Sequence, residues 1–180
     1  MKILMVLFDA SGVTSNYFRD KGYLVIQNDS KLCGDNLITF PYVPDLKLDG
    51  LICYPPCTYF SRARTRPGEF DLDYGLSTLD LCFRMKYLYN PKVFIIENPF
   101  HSRIRNYIGP PKQSINLGEY GFPTPKPTGL WGDFKNINPG TYDLPNVSKT
   151  VFQNMSTSNR SKTPIGLVDS IYHSNFVDNV

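Results

Sequence analysis

The sequence predicts a three-layer α/β sandwich on a mostly parallel sheet, and three features carry that expectation. Short, unbroken apolar runs recur at Lys2 to Phe8, Tyr23 to Ile26, Leu51 to Cys53 and Val93 to Ile96. Runs of that length without alternation suit strands buried on both faces. Helix-like stretches separate them, at Thr14 to Lys21 and over a longer segment ending near Tyr89, which is the alternation a parallel sheet needs for its crossovers. Several runs close on polar or proline-bearing residues, so a parallel arrangement delivers those residues to one rim. With 180 residues, 41% hydrophobic and 19% charged, residues 1–180 are expected to form a single domain around a sizeable core.

The first run is followed by Asp9-Ala10-Ser11-Gly12, a tight turn into a helix that Gly22 then terminates. A turn there is where an adenosyl ligand is expected, although one glycine is a sparse signature. The second run ends at Gln27-Asn28-Asp29. Asp29 suits a ribose hydroxyl at the end of a second strand, and equally suits a plain turn. Between Ser30 and Leu48 the chain is irregular, with room for a short strand around Leu37 to Phe40.

The run Leu51-Ile52-Cys53 meets Pro55-Pro56, which removes two amide donors and fixes two φ angles, so the strand must stop there. Cys57 is then presented in a loop at a strand's carboxyl end, a position for a partly accessible, reactive thiol, whereas Cys53 reads as a small buried hydrophobe. The following Ser61-Arg62-Ala63-Arg64-Thr65-Arg66 suits a phosphate-bearing partner or, more plainly, a solvated surface. In the next helix Leu76, Leu79, Cys82, Phe83 and Leu88 form the apolar pattern, with Cys82 as a core residue. Asn90-Pro91 stops it.

The run Val93 to Ile96 ends in Glu97-Asn98-Pro99. If its strand is parallel to the one before Cys57, thiol and carboxyl share a rim. Glu97, hard against an apolar strand, is a candidate proton or hydrogen-bond donor near neutral pH; the structural alternative is a capping or salt-bridged carboxylate. A short helix is expected within Phe100 to Ile108, then extended loop as far as Pro127. Gly129 to Phe134 reads as a strand carrying Trp131 into the core, with the segment after Gly121 forming an edge hairpin. The last helix is expected to start with Thr163 as N-cap and Pro164 at its first position, and to run to about Phe176.

Composition narrows the class of function. No apolar run has the length of a membrane span, and the amino-terminal run reads as a strand, so a soluble cytoplasmic protein without membrane partners is expected. Cysteines at 33, 53, 57 and 82 form no dense framework, which suits a reducing compartment. No metal is expected, since Cys53 and Cys57 are irregularly spaced and only His101 and His173 could join them. A formal net charge of +3 is too mild to announce nucleic-acid binding by itself.

Taken in order, these motifs resemble the cytosine carbon-5 DNA methyltransferases, particularly short forms from bacteria and their viruses. Asp49 through Ser61 is similar to the family's Pro-Pro-Cys motif, and Glu97-Asn98-Pro99 to its Glu-Asn motif. Gly129 to Phe134 and Arg160 to Pro164 also match short members. The resemblance implies a Rossmann-like S-adenosylmethionine-dependent fold in which Cys57 attacks carbon 6 of cytosine and Glu97 engages ring nitrogen 3. It implies cofactor contacts at Phe8, Asp9, Ser11, Gly12, Asp29 and Pro55, and nucleic-acid contacts at Ser61, Arg62, Arg64, Arg66 and Asn98. A duplex substrate would have its cytosine flipped out. For a phage-encoded member the location is the host cytoplasm, in a restriction-modification setting.

The chain departs from the family in keeping only Phe8 and Gly12 of the first glycine motif, in having Lys126-Pro127-Thr128 where a basic Arg-x-Arg motif is usual, and in lacking length for a target-recognition domain between Asn136 and Asn159. Low sequence specificity follows, with single-stranded DNA or a partner protein as ways of finding substrate. The alternatives are a catalytically inactive domain of this fold that binds nucleic acid or a host protein, and the same chemistry on RNA or a nucleotide monomer.

Overall fold

The computed structural model describes residues 1–29, 43–60, 71–140 and 162–177. The strand expected around Leu37 to Phe40 and the basic segment with Ser61, Arg62, Arg64 and Arg66 lie outside the described residues.

Each apolar run forms a strand. β1 is Ile3–Leu7, β2 Leu24–Asn28, β3 Gly50–Cys53 and β4 Val93–Pro99. They are mutually parallel, with Leu7 beside both Asn28 and Cys53, and Cys53 beside Ile96, so their carboxyl ends form one row. β5, Gln113–Asn116, and β6, Pro127–Asp133, complete a six-stranded sheet of order β2-β1-β3-β4-β6-β5. β6 runs antiparallel to both β4 and β5.

The helices pack on both faces. α1, Val13–Asp20, and α4, Ile165–Asn175, cover one side, where Phe18, Leu167, Val168 and Ile171 meet Leu4, Val6, Ile52 and Ile95. α2, Leu72–Tyr89, covers the other, where Leu79, Cys82 and Met85 meet Met5, Leu51, Phe94 and Ile96. A short α3, Arg105–Ile108, follows β4. The result is the three-layer, Rossmann-like sandwich expected, with a mostly parallel sheet. The order reverses beside β1, because the chain leaves it for β2 on one side and returns as β3 on the other; in such sheets that crevice is where ligands bind.

Several local expectations are corrected. β4 continues through Glu97, Asn98 and Pro99, because antiparallel β6 supplies Leu130, Gly129 and Thr128 as partners beyond the end of β3. The hairpin at the edge starts earlier than Gly121, since Ile115 packs its one buried side chain into the core and draws Gln113–Asn116 into the sheet. Of the α2 residues read as core, Leu79 and Cys82 are buried, whereas Phe83 and Leu88 are exposed. The buried stripe is Thr78, Leu79, Leu81, Cys82, Met85 and Tyr89, a helical face that Phe83 and Leu88 flank rather than share. At α4 the residue preceding the helix is Pro164, in extended conformation, with no side-chain cap. Pro164 uses its carbonyl to accept from Leu167 and Val168, while Thr163 turns its side chain to Tyr54.

One glycine in β6 is fixed by geometry. Gly132 has φ of 120°, and a Cβ added there would lie 2.2 Å from the Phe94 carbonyl oxygen, backbone that cannot rotate away. Gly132→Ala is expected to cost about 3 kcal/mol, from left-handed strain plus overpacking of the β4–β6 ladder. Denaturant unfolding measures it; a midpoint equal to that of the unsubstituted protein would contradict this register.

Candidate active site

The carboxyl row of the parallel strands opens on two loops that flank the crevice between β1 and β3. In the first, Phe8 has a left-handed backbone, φ 64°, and donates its amide to the Asn28 carbonyl at 2.6 Å. Asp9 is buried and both its carboxylate oxygens are used within the turn: Oδ2 accepts from the amide and hydroxyl of Ser15, each at 2.9 Å, and Oδ1 from Ser11 at 2.9 Å. Gly12 then caps α1 with φ 69°, a conformation only glycine adopts without strain. A single glycine thus suffices to close this turn, because an internal carboxylate fastens the rest of it.

The second loop follows β3. The Tyr54 amide donates to the Leu7 carbonyl at 3.0 Å, tying the strand end to β1. After the two prolines, Cys57–Tyr59 forms a 3-10 turn, with Cys57 half-buried. Three supports hold this turn. Asn98 donates from Nδ2 to the Pro55 carbonyl at 2.8 Å. The Arg103 amide donates to the Phe60 carbonyl at 2.7 Å, and Phe60 itself is fully buried. On α2, Gly75 lies so close that a Cβ would sit 2.7 Å from Tyr59 Cβ.

Glu97 stands at the same rim, on the β4 face shared with Ile95 and the α1/α4 layer. Its carboxyl is raised above the ordinary carboxylate range by desolvation, with Lys126 acting in the opposite direction. The Cys57 thiol is raised as well, first by burial and then by the Glu97 charge, again opposed by Lys126. Cys57, Glu97 and Lys126 therefore form one electrostatic group. Lys126 reaches it from the start of the β6 arm, where its amide donates to Asn116 Oδ1 at 2.9 Å and its ammonium lies 5.2 Å from the Phe122 ring centroid.

The other sequence candidates divide. Asn98, expected among nucleic-acid contacts, is buried and spends one edge of its amide on the Cys57 loop; its Oδ1 has no hydrogen-bond partner among the described residues. Pro55 presents its carbonyl to Asn98. Asp29 is buried beyond the end of β2, and Asn28 just before it holds a buried Oδ1 without a hydrogen-bond partner among the described residues. Tyr54, Thr14, Thr163 and Lys126 were not legible as site residues. In the sequence Lys126 figures only as what stands in place of a basic Arg-x-Arg motif and Thr163 only as a cap in the Arg160 to Pro164 segment, while Tyr54 shows only as an aromatic directly before Pro-Pro.

Among the described residues no cluster of three or more His, Cys, Asp or Glu could hold a metal ion, and no helix is long and apolar enough to cross a membrane. For an adenosyl cofactor the first loop is a chemically suitable cradle: a left-handed glycine at a helix N-terminus, and a buried acceptor at Asn28 that lacks a donor among the described residues.

No protein-family model matches the chain, and no curated protein matches it. Among solved structures, it is similar to one provisionally designated a DNA modification methyltransferase encoded within an E. coli prophage. That likeness has a TM-score of 0.42 and 20% sequence identity, over 72% of this chain and 45% of the other. The chain thus spans less than half the length of that relative.

Proposed function

We propose that this protein transfers a methyl group from S-adenosylmethionine to carbon 5 of cytosine in DNA through a covalent adduct on Cys57. The supporting observation is the grouping of a half-buried thiol, a carboxyl raised by desolvation and a lysine at one rim of the sheet, across the β1–β3 crevice from the Gly12 turn.

The roles follow from the charges. Cys57 adds as a thiolate to carbon 6 of the ring; the thiol gives up its proton to water against burial, with Lys126 offsetting part of that cost while Glu97 is held neutral. Glu97 keeps a proton to higher pH than an exposed carboxyl and holds it at ring nitrogen 3, where electron density accumulates as the carbon–sulfur bond forms. The nucleophilic carbon 5 then takes a methyl group, which S-adenosylmethionine supplies when bound. Water takes the carbon-5 proton, the freed pair restores the double bond as the Cys57 sulfur leaves with its electron pair, and the nitrogen-3 proton returns to Glu97. Phe8, Asp9, Ser11, Gly12, Asn28, Asp29 and Pro55 are the residues proposed to surround the cofactor. Asn98 orders the thiol loop.

Isothermal calorimetry with S-adenosylmethionine tests this first. The unsubstituted protein is expected to bind with Kd of about 1–50 μM, and Gly12→Val to weaken binding at least about tenfold, because a β-branched residue resists the left-handed conformation. Methyl transfer to single- and double-stranded oligonucleotides follows. A folded protein that neither binds the cofactor nor methylates either oligonucleotide would overturn the proposal and leave a binding domain of the same fold.

A further inference from the structure

Tyr54 stands between the two loops. Its ring packs against both hydrophobic clusters, one on each side of the sheet. Its hydroxyl shares a 2.7 Å hydrogen bond with Thr14 Oγ1, in the first turn of α1, and Thr163 engages the same phenol from the segment leading into α4. Thr14 is fully buried. Burial holds the phenol protonated well above its ordinary range, against the Thr14 hydrogen bond, and the charges of Asp9 in the first loop and Glu97 on β4 add to it. The hydroxyl therefore stays protonated, held by Thr14 in the first turn of α1 with Thr163 near it, and the Tyr54 backbone leads directly into Pro55-Pro56-Cys57.

We propose that Tyr54 is a positioning residue that sets the register of the Cys57 loop against the first turn of α1, coupling the Gly12 turn to the thiol. The proposal rests on the reading of Cys57 and Glu97 as the reacting pair, and it extends that reading by assigning a residue whose hydroxyl touches neither. The coupling runs along a short path. α1 begins at the residue after Gly12, Thr14 is its second residue, and Tyr54 lies three residues before Cys57. Asn98 fixes the loop on its other side through the Pro55 carbonyl, so removing the Thr14–Tyr54 bond frees one side only. The thiol then moves relative to Glu97 of β4 and Lys126 of the β5–β6 connection, the charged groups that act on it.

The test is a double-mutant cycle on the full chain, with Tyr54→Phe, Thr14→Val and both together. It is read as the rate of Cys57 alkylation by iodoacetamide from neutral to alkaline pH, localised by peptide mass spectrometry. Each single variant is expected to move the pH midpoint of alkylation downward and to raise the neutral-pH rate about three- to tenfold, as the loosened loop rehydrates the thiol; the double variant should add nothing further. Thr14→Val retains its meaning if Tyr54→Phe does not fold. Unchanged midpoints in both singles, or effects that multiply in the double, would overturn the coupling. So would a lowered melting temperature with the midpoint unmoved, the outcome of a purely structural role. Alkylation needs neither cofactor nor DNA. A coupled cycle in a protein without methyl transfer would therefore refute the proposed function and keep the positioning role, and methyl transfer with an uncoupled cycle would do the reverse.

Discussion

Cys57→Ala is expected to abolish methyl transfer, by at least about 10⁴-fold, while leaving cofactor binding and unfolding close to those of the unsubstituted protein. The size of the loss follows from the chemistry. Carbon 5 of cytosine becomes nucleophilic only when a group adds at carbon 6, and no other thiol can substitute among the described residues, since Cys53 and Cys82 are buried in the core beneath α2. The mildness of the structural effect follows from the supports of the loop. Asn98, Arg103, Phe60 and Gly75 hold its backbone and neighbours without using the sulfur. A radiolabelled methyl-transfer assay with a parallel thermal melt measures both. Transfer persisting within tenfold of the unsubstituted rate would exclude Cys57 as the nucleophile.

Glu97→Gln is expected to lower transfer by about 10²–10³-fold and, at the same time, to stabilise the fold at neutral and alkaline pH. Activity falls because an amide can hydrogen-bond ring nitrogen 3 but cannot give it a proton. The stability effect has a definite sign. The Glu97 carboxyl is raised in the folded protein above its ordinary value of 4.5, so the folded state holds the proton where the unfolded state releases it. Its stability contribution is complete below the unfolded value, falls as pH rises through the folded value, and above that stays a constant cost. Glutamine, always neutral, escapes that cost. The variant should therefore unfold at higher temperature than the unsubstituted protein at pH 8, and the gap should close at about pH 4. Lower stability of Glu97→Gln at pH 8 would mean that Lys126 outweighs desolvation. The group would then be an ordinary ion pair.

These effects belong together. A carboxyl kept protonated and a thiol kept from ionising are both costs of burial at the sheet rim, and Lys126 moderates both. As pH rises the rate of transfer gains from thiolate formation and loses from ionisation of Glu97, so both limbs of its pH profile are expected at higher pH than exposed groups would give.

The sequence by itself determined the sheet's centre. Leu4, Met5, Val6, Leu51, Ile52, Ile95 and Ile96 are apolar without alternation because both faces of their strands are covered, and that pattern is local. It also determined where β3 stops, since two prolines end a strand whatever surrounds them, and that Cys82 belongs to the core. Cys57 and Glu97 were legible as candidates because each directly follows such a run or a proline pair.

Tertiary structure decided what local pattern could not. β5 is polar except for Ile115 and is a strand only because β6 pairs with it. Phe83 and Leu88 fit a helical apolar pattern but miss the face that α2 turns to the sheet. Asn98 proved to hold the thiol loop, and Lys126 joined Cys57 and Glu97 from 69 residues beyond the thiol. Tyr54 depends on Thr14, 40 residues away, and on Thr163, more distant still. Periodicity and propensity report on a residue and its near neighbours. The burial that raises Glu97, the lysine that opposes it and the threonine that fixes Tyr54 exist only once the strands align their ends and remove those groups from water.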